Sequence, residues 1–221
     1  MCTEPFEQKN MFLDQVLAER RSYRQFRQEI PPAETIERII HAGLLAPYAA
    51  AAVGGSSDYF RRFFVIPKGS AAMEQAIPLV MTEVGLMVKE IEVGMAADPA
   101  LRNRAVSFVG RLAAIRKMGM VPGIGTAPYY IVVAERRGYP PVELQSLAHC
   151  LENMWLKATA LGLGFQIVSV TSRMSAHPGF CGILGIPAGE WELMGCAVGY
   201  AQEELPPAIR PPVEKVTTWL H

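Results

Sequence analysis

Hydrophobic residues along the chain follow two spacings, one typical of helices and one typical of buried strands. Apolar side chains three or four residues apart predict a helix over 11–19 and a second that starts after Pro31-Pro32 and stops at Pro47. The same spacing over 142–158 predicts a long helix that ends at Gly162. We expect each of these helices to pack through one apolar face.

Short runs rich in β-branched and aromatic residues predict four strands, over 61–67, 129–134, 165–170 and 191–198. The second run is the clearest, because it is continuously apolar and ends at an Arg-Arg-Gly turn, and we expect it to be buried and central. Helical blocks of unequal length separate the strands, instead of regular βαβ units. This arrangement predicts a protein of the α+β class.

The stretch from 71 to 118 is helical in pattern but is interrupted by prolines and glycines, which predicts two or three short helices. Methionines concentrate there, and their flexible side chains suit either ordinary core filling or a pocket that adapts to ligands. The tail over 205–221 is rich in proline, so we expect it to run extended over a surface until about Val213.

Composition narrows the classes of function. The 221 residues are 50% hydrophobic and 19% charged, which predicts a compact globular chain. Because 21 basic residues balance 21 acidic ones, the overall charge does not attract nucleic acid or an anionic membrane. The longest apolar stretch, around 44–53, is too short for a membrane span, and the acidic N-terminus does not resemble a secretory signal. We expect a cytoplasmic protein without nucleic-acid or membrane partners.

Cysteine and histidine spacing argues against a metal centre. The four cysteines contain no C-x-x-C pair, and the four histidines show no ligand spacing with them or with each other. We therefore predict neither a structural metal nor a disulfide framework.

The octet at 20–27 is the strongest chemical signal in the sequence. It reads Arg-Arg-Ser-Tyr-Arg-Gln-Phe-Arg and contains four arginines and no acidic residue. Guanidinium groups bind phosphate through paired donors, and the hydroxyl of Ser22 adds another donor, so the octet can hold one phosphate of a cofactor. Taken alone, it can equally be a solvated basic turn between two helices.

Further motifs accompany the octet in a fixed order. An amphipathic helix ending in Ala46-Pro47 follows it, and a later helix carries Glu-Asn-Met-Trp at 152–155. After that helix come Leu-Gly-Ile-Pro at 184–187, Val-Gly-Tyr at 198–200 and a proline-rich segment that contains Arg210. Together this order resembles the nitroreductase family at both ends of the chain.

The resemblance implies an α+β fold with a central, mostly antiparallel sheet surrounded by helices, in an intertwined homodimer with an extended C-terminal tail. It also implies bound FMN, which passes hydride from NADH or NADPH through its N5 atom to a nitroaromatic, quinone or similar small aromatic acceptor by a ping-pong mechanism. No catalytic side chain is then required. The chain is interpreted as one nitroreductase-like domain, 1–221, in which about 71–125 is a variable helical insertion or lid.

Matching positions imply roles in cofactor binding. Arg20, Arg21 and Ser22 correspond to positions that hold the phosphate and the ribityl chain, and Arg210 corresponds to a tail residue that closes on the phosphate. Arg24 corresponds to a cation near the flavin N1 and C2 carbonyl, where it stabilises the negative charge left by reduction. The strand end that lies beside the flavin ring in the family matches Ile167, Val168 and Ser169.

The sequence departs from the family pattern after Pro47. The family has Ala-Pro-Ser, an Asn and Gln-Pro-Trp there, whereas this chain continues with Tyr48, several alanines and Ser56-Ser57. The usual polar partner of the flavin pyrimidine edge is absent, so backbone groups of the loop or the two serines are candidates for that contact. Tyr48 is either a ring contact or a packing residue at the helix end. This departure motivates an alternative function, a flavin-binding protein for storage, sensing or flavin processing.

Overall fold

The computed structural model describes residues 4–54 and 60–220. These residues form six α-helices and four strands. The helices are α1 (Glu4–Glu19), α2 (Ala33–Leu44), α3 (Ala71–Ala97), α4 (Pro99–Met118), α5 (Glu143–Ala160) and α6 (Pro178–Leu184). The strands are β1 (Arg61–Pro67), β2 (Tyr129–Arg136), β3 (Gly164–Val168) and β4 (Trp191–Gly199), and 3-10 turns occupy Ser169–Met174 and Val213–Lys215.

The strands form one antiparallel sheet in the order β1-β2-β4-β3. The prediction of a buried, central strand is confirmed, because β2 pairs with β1 on one side and with β4 on the other. Tyr130 and Val132 of β2 belong to one hydrophobic cluster, whereas Ile131 and Val133 belong to another on the opposite face. A strand buried on both faces needs apolar residues at consecutive positions, which explains the continuous run in the sequence.

Helices cover both faces of this sheet. Helices α2 and α5 pack together over one face, where a Cβ atom at Gly43 would come within 2.9 Å of the Cγ of Met154. The missing side chain at Gly43 therefore lets α2 approach α5 closely. Helices α3 and α6 contribute to the core on the other face, and α4 packs against α3. This is the α+β arrangement that the sequence predicts.

The prediction of short helices over 71–118 is wrong, because the structure has two long ones. Pro78 lies inside α3, where the helix continues since Met73, Val80 and other residues of its buried face pack into the core. The break falls at Asp98, whose side chain accepts a hydrogen bond from the N–H of Ala100, 2.8 Å away, and so caps α4. Tertiary packing overrides the glycine and proline signals in α3.

Other element boundaries differ from the sequence prediction. Helix α1 begins at Glu4, seven residues before the predicted start, and its apolar side chains are mostly exposed. Strand β3 ends at Val168, and the predicted strand residues after it form a 3-10 turn. Helix α6 was not predicted; it begins with His177, whose side chain accepts from the N–H of Phe180, and ends at Gly185 with φ of 65°.

Helix α3 is long and apolar enough to cross a membrane by length and composition alone, which the sequence reasoning did not recognise. In the fold its buried face is part of the main hydrophobic cluster, where Met73, Val80 and Val84 are almost fully buried. Glu83 in the same helix forms an ion pair with Arg173. These contacts fit a core helix better than a membrane span.

The described part of the tail, 205–220, contains no helix or strand apart from the 3-10 turn at Val213–Lys215. Its side chains are exposed, including several large apolar ones. The carbonyl of Pro206 is held by the Arg21 side chain at 2.9 Å. The expected course of the tail over another surface stays a prediction.

Candidate functional site

A cleft of about 660 Å³ lies beside the arginine octet. The end of α1, the segment that follows it, the end of α5 and the start of the tail form its walls. Basic and acidic groups share the lining, so a ligand there meets charges of both signs. The charged residues of the lining are Glu19, Arg21, Arg27, Glu203 and Glu204.

Backbone contacts hold the octet across the edge strand β3 and the end of β4. The N–H of Tyr23 donates to the carbonyl of Phe165 in β3 at 3.0 Å, and the N–H of Arg27 donates to the carbonyl of Tyr200 at 2.9 Å. Phe26 is buried and forms an isolated bridge with Ala201. The octet is therefore an ordered extended segment, and it is not a free turn between two helices.

Arg20 is held in place by α5. Its guanidinium lies 4.3 Å from the centre of the Trp155 ring, and its Nε is 3.3 Å from a carboxylate oxygen of Glu152. The indole N–H of Trp155 donates to the carbonyl of Arg21 at 3.1 Å. Stacking on an aromatic face restricts the arginine while leaving part of its donor set accessible. A bound phosphate would compete with Glu152 for this group.

Arg21 uses its donors on backbone carbonyls. Its Nη1 donates to the carbonyls of Ala18 and Arg20, and its Nε donates to the carbonyl of Pro206. These bonds close the end of α1 and fix the beginning of the tail, where terminal helix carbonyls lack partners within the helix. The structure thus gives Arg21 a backbone-capping role, which the sequence did not indicate.

Ser22 and Arg24 complete the predicted anion site. Ser22 forms a bridge with Phe165, and Arg24 is exposed and donates to the carbonyl of Ser22 at 3.4 Å. Within the described residues, Arg24 has no carboxylate partner closer than 4.0 Å. Arg210 is also exposed and contacts the carbonyl of Ile209, so no described contact joins it to the octet. The role of Arg210 at the phosphate therefore stays a prediction.

The predicted flavin-edge residues lie at the far end of β3. Ile167 is half-buried towards α5, Val168 is buried in the opposite cluster, and Ser169 is exposed at the start of the 3-10 turn. The distance along the strand from Phe165, where the octet attaches, to Ser169 is about 13 Å. The octet therefore contacts the first half of β3, and the predicted flavin-edge residues lie at its end and just after it.

A buried hydrogen bond anchors the 3-10 turn after β3. The hydroxyls of Tyr130 and Thr171 lie 2.7 Å apart, and both residues are fully buried. Burial raises the pKa of Tyr130, so its hydroxyl keeps its proton at ordinary pH. On the outer side, Arg173 in the same turn pairs with Glu83 and Glu90 of α3. The turn next to Ser169 is thus fixed both to the sheet and to α3.

Tyr48 lies at the opposite edge of the sheet. Its ring centre is 4.3 Å from that of Phe60, immediately before β1, and the side chain is about two-fifths exposed. Strand β1 is separated from β3 by three strand spacings, or about 14 Å. Tyr48 is therefore not adjacent to the octet within one chain. The serines Ser56 and Ser57 lie outside the described residues.

Sequence reasoning missed a buried ion pair close to Tyr48. Arg61 and Glu135 are directly opposite in the pairing of β1 with β2, with atoms 2.6 Å apart. Burial raises the pKa of Glu135 although Arg61 and Ser146 contact its carboxylate. The strand predicted over 129–134 stops one residue before Glu135, so pairing the predicted strands does not show this contact.

The sheet order, the helices on both faces and an arginine-rich segment laid across the edge strand define an α+β protein. Residues 17–200 match the model of the nitroreductase family. The chain belongs to this family. The resemblance inferred from the motifs is therefore confirmed, as are the α+β class and the antiparallel sheet.

Solved structures with the same fold include several flavoproteins. A nitroreductase with bound FMN from Bacteroides fragilis has a TM-score of 0.65 at 18% identity, covering 95% of this chain and 98% of that one. The FMN and NADPH-dependent nitroreductase NfnB from Sphigopyxis sp. also gives 0.65 at 18% identity, covering 95% and 99%. A BluB-like flavoprotein from Clostridium difficile gives 0.65 at 23% identity, covering 95% and 99%. No curated protein matches the chain.

Proposed function

We propose that the protein is an FMN-dependent oxidoreductase that uses NADH or NADPH to reduce a nitroaromatic, quinone or similar small aromatic acceptor. Membership of the nitroreductase family supports the reaction class, and the FMN-bound and NADPH-dependent relatives support the cofactor and the electron donor. The observation that carries the proposal is the ordered octet, in which Arg20, Ser22 and Arg24 alternate along an extended segment.

The donor set at the octet fits a flavin mononucleotide. Arg20 is pre-oriented by Trp155, Ser22 supplies a hydroxyl, and Arg24 is an exposed guanidinium without a described carboxylate partner. Arg20 and Ser22 would offer the phosphate a cation and a hydroxyl donor, and Arg24 would offer a second cation to the flavin ring. Arg21 is committed to backbone carbonyls, so we assign it to holding the segment and the tail in place.

Bound FMN would supply the redox chemistry, accepting two electrons and a proton from NAD(P)H and passing them to the acceptor in a second half-reaction. The protein groups bind and tune it. We propose that Arg24 lies near the flavin N1 and C2 carbonyl, where its charge favours the reduced cofactor. Backbone N–H groups at Ile167, Val168 and Ser169 would face the N5 edge, so no side-chain acid or base is needed.

A homodimer follows from the placement of the predicted contacts. Tyr48 lies at the β1 edge and the octet at the β3 edge, so a second copy of the chain is the natural source of Tyr48 for the same flavin. Exposed apolar side chains on α1 and in the tail offer surface for that copy, because isolated patches of this size are unfavourable in water. They are Phe6, Met11, Phe12, Leu13, Leu17, Ile209, Val213, Val216, Trp219 and Leu220.

The first test is the visible spectrum of the purified protein, followed by release and identification of the chromophore. Oxidised-flavin bands and released FMN would support the proposal, and oxidation of NADH or NADPH with a quinone would establish turnover. A folded protein that is colourless and takes up no FMN would refute it. Bound flavin without turnover would favour the storage, sensing or flavin-processing alternative motivated by the altered loop after Pro47.

Arginine variants test the phosphate assignment. A hydrogen bond to a charged group contributes about 1.5–3 kcal/mol, so Arg20→Ala and Arg210→Ala should each weaken FMN binding by roughly 10- to 150-fold. Arg27→Ala is the matched control, because this arginine belongs to the same octet and its backbone N–H, not its side chain, makes the contact with Tyr200. FMN affinity that stays unchanged in both test variants would contradict the assignment.

Arg24→Ala tests a different role. Loss of its positive charge should lower the flavin reduction potential, making the flavin harder to reduce, with a smaller effect on FMN affinity. The potential is measured by equilibration with a reference dye, and Arg24→Lys serves as the control that retains the charge. A potential equal to that of the unaltered protein would remove Arg24 from the neighbourhood of the flavin ring.

A further inference from the structure

A buried polar cluster lies beneath the loop that follows α2. The side chains of Arg61 and Glu135 are 2% and 4% exposed, and the guanidinium of Arg61 donates to the Glu135 carboxylate at 2.6 Å. It also donates to the hydroxyl of Ser146 at 2.9 Å, which in turn donates to Glu135 at 2.9 Å. The three side chains form a closed network between β1, β2 and α5.

The remaining donors of Arg61 reach the end of α2 and the loop after it. Nη1 lies 2.8 Å from the carbonyl oxygen of Gly43 and 3.3 Å from that of Ala46, and Nη2 lies 3.5 Å from that of Pro47. The last carbonyls of a helix lack partners within the helix, and a cation there also opposes the negative end of the helix dipole. A single buried guanidinium therefore contacts three backbone carbonyls between Gly43 and Pro47.

The other end of this loop, 45–54, is held by the segment that follows β2. The N–H of Tyr139 donates to the carbonyl of Ala52 at 3.3 Å, and a Cβ atom on Gly138 would overlap that carbonyl. Tyr48 lies between these two anchors, and its ring packs against that of Phe60 with the two planes tilted by 34°. The Arg61 guanidinium is 5.3 Å from the centre of the Phe60 ring, on which Tyr48 rests.

We propose that Arg61 is a positioning residue that fixes loop 45–54, and with it Tyr48, for the flavin and acceptor site; this inference rests on the proposed function. Replacing a buried ion pair by apolar residues is often neutral or stabilising, so fold stability alone does not account for the pair. The hydrogen bonds of Arg61 to the α2 carbonyl of Gly43 and to the loop carbonyls of Ala46 and Pro47 are the contribution that an apolar residue cannot supply.

The test removes the network while keeping the core filled. The variant Arg61→Met/Glu135→Leu/Ser146→Ala has no buried charge left unpaired, and Arg137→Met/Glu192→Leu is the matched control, since that pair joins the same sheet without touching the loop. Thermal unfolding shows whether each variant still folds. Hydrogen exchange over 45–54, measured without FMN, reports the loop, in which the N–H of Ala52 bonds to the carbonyl of Ala49.

We expect the triple variant to unfold cooperatively and its loop amides to exchange roughly tenfold faster, as expected from loss of one charge-assisted hydrogen bond. The dissociation constant of FMN and the KM for the acceptor should rise by a similar factor. In the control variant, both should equal those of the unaltered protein. Unchanged exchange in a folded variant would overturn the positioning role. Faster exchange with unchanged FMN affinity and KM would overturn the link to the site and leave the flavin function standing.

If the triple variant does not fold, Arg61→Lys replaces it in the same measurements. Lysine keeps the charge opposite Glu135, but its ammonium cannot reproduce the planar set of donors that reaches the loop carbonyls. Faster loop exchange would support the proposal, and exchange equal to that of the unaltered protein would overturn it. Failure of the unaltered protein to bind FMN would refute the proposed function. The hydrogen-exchange result, which is measured without FMN, would still test whether Arg61 holds the loop.

Discussion

The absence of a side chain at Gly195 in β4 leaves room for the hydrogen bond between Tyr130 and Thr171, which anchors the 3-10 turn after β3. A Cβ atom at this position would overlap the Thr171 hydroxyl and come within 2.9 Å of Cε2 of Tyr130, so Gly195→Ala must displace their buried hydrogen bond. Overpacking a core costs about 1–3 kcal/mol, and leaving a buried polar group without its partner costs about 1–3 kcal/mol. We expect a loss of about 2–5 kcal/mol in the free energy of unfolding, or roughly 5–15 °C in Tm.

Urea unfolding followed by circular dichroism measures this loss. Gly110→Ala is the control, because Gly110 lies inside α4 with no atom within 4 Å of an added Cβ, and the change should stabilise the helix by up to about 1 kcal/mol. Adding Thr171→Ala to Gly195→Ala should recover part of the loss, since the overlapping hydroxyl is gone. A Gly195→Ala protein within about 0.5 kcal/mol of the unaltered one would refute the reasoning.

Two further predictions concern titratable groups. Because burial raises the pKa of Glu135, the folded state binds its proton more tightly than the unfolded state, so its contribution to stability is complete at low pH and is lost as pH rises from about 4.3 through the raised pKa. Glu135→Gln should therefore flatten the fall in stability with rising pH, as judged by urea unfolding from pH 4 to 8, and a parallel pH profile would contradict this. Burial raises the pKa of Cys150 to about 12 and also raises the pKa of Cys181 and Cys196. In a Cys2→Ser variant, the native protein should give no thiol reaction with a disulfide reagent at pH 8 and three after denaturation; prompt native reaction would place a thiol at the surface.

The strands and the long α5 helix were predictable because local pattern and tertiary environment agree there. In β2 the consecutive apolar residues match burial on both faces, so the sequence indicates both the strand and its central place. Helix α3 was not predictable as one helix, since Pro78 and Gly85 weaken the local signal. Its continuity comes from tertiary contacts with β1, α4 and the distant α6, which the local sequence does not show.

The candidate site was predictable in its charged residues and not in their partners. The octet predicts an anion site from the sequence. Its partners are not predictable in this way, because Trp155 and Glu152, which orient Arg20, lie more than 130 residues later. The capping role of Arg21 depends on the tail carbonyl at Pro206, which has no side-chain signal at all. Motifs locate donors along the chain, whereas the fold decides which donors are already occupied.

The arginine octet and the loop after Pro47 are held by separate parts of the fold, and this separation bears on how the loop could depart from the family pattern. The octet is fixed by β3, by the end of β4 and by Trp155, whereas the loop is fixed by Arg61 and the segment after β2. No side chain anchors both the octet and the loop in the part of the chain that the structure describes. A change of loop sequence can therefore alter the surroundings of the proposed flavin and acceptor site while the proposed phosphate-binding segment keeps its conformation. On this basis the proposed FMN site tolerates the missing Asn, and differences from other family members are expected in acceptor preference before cofactor identity.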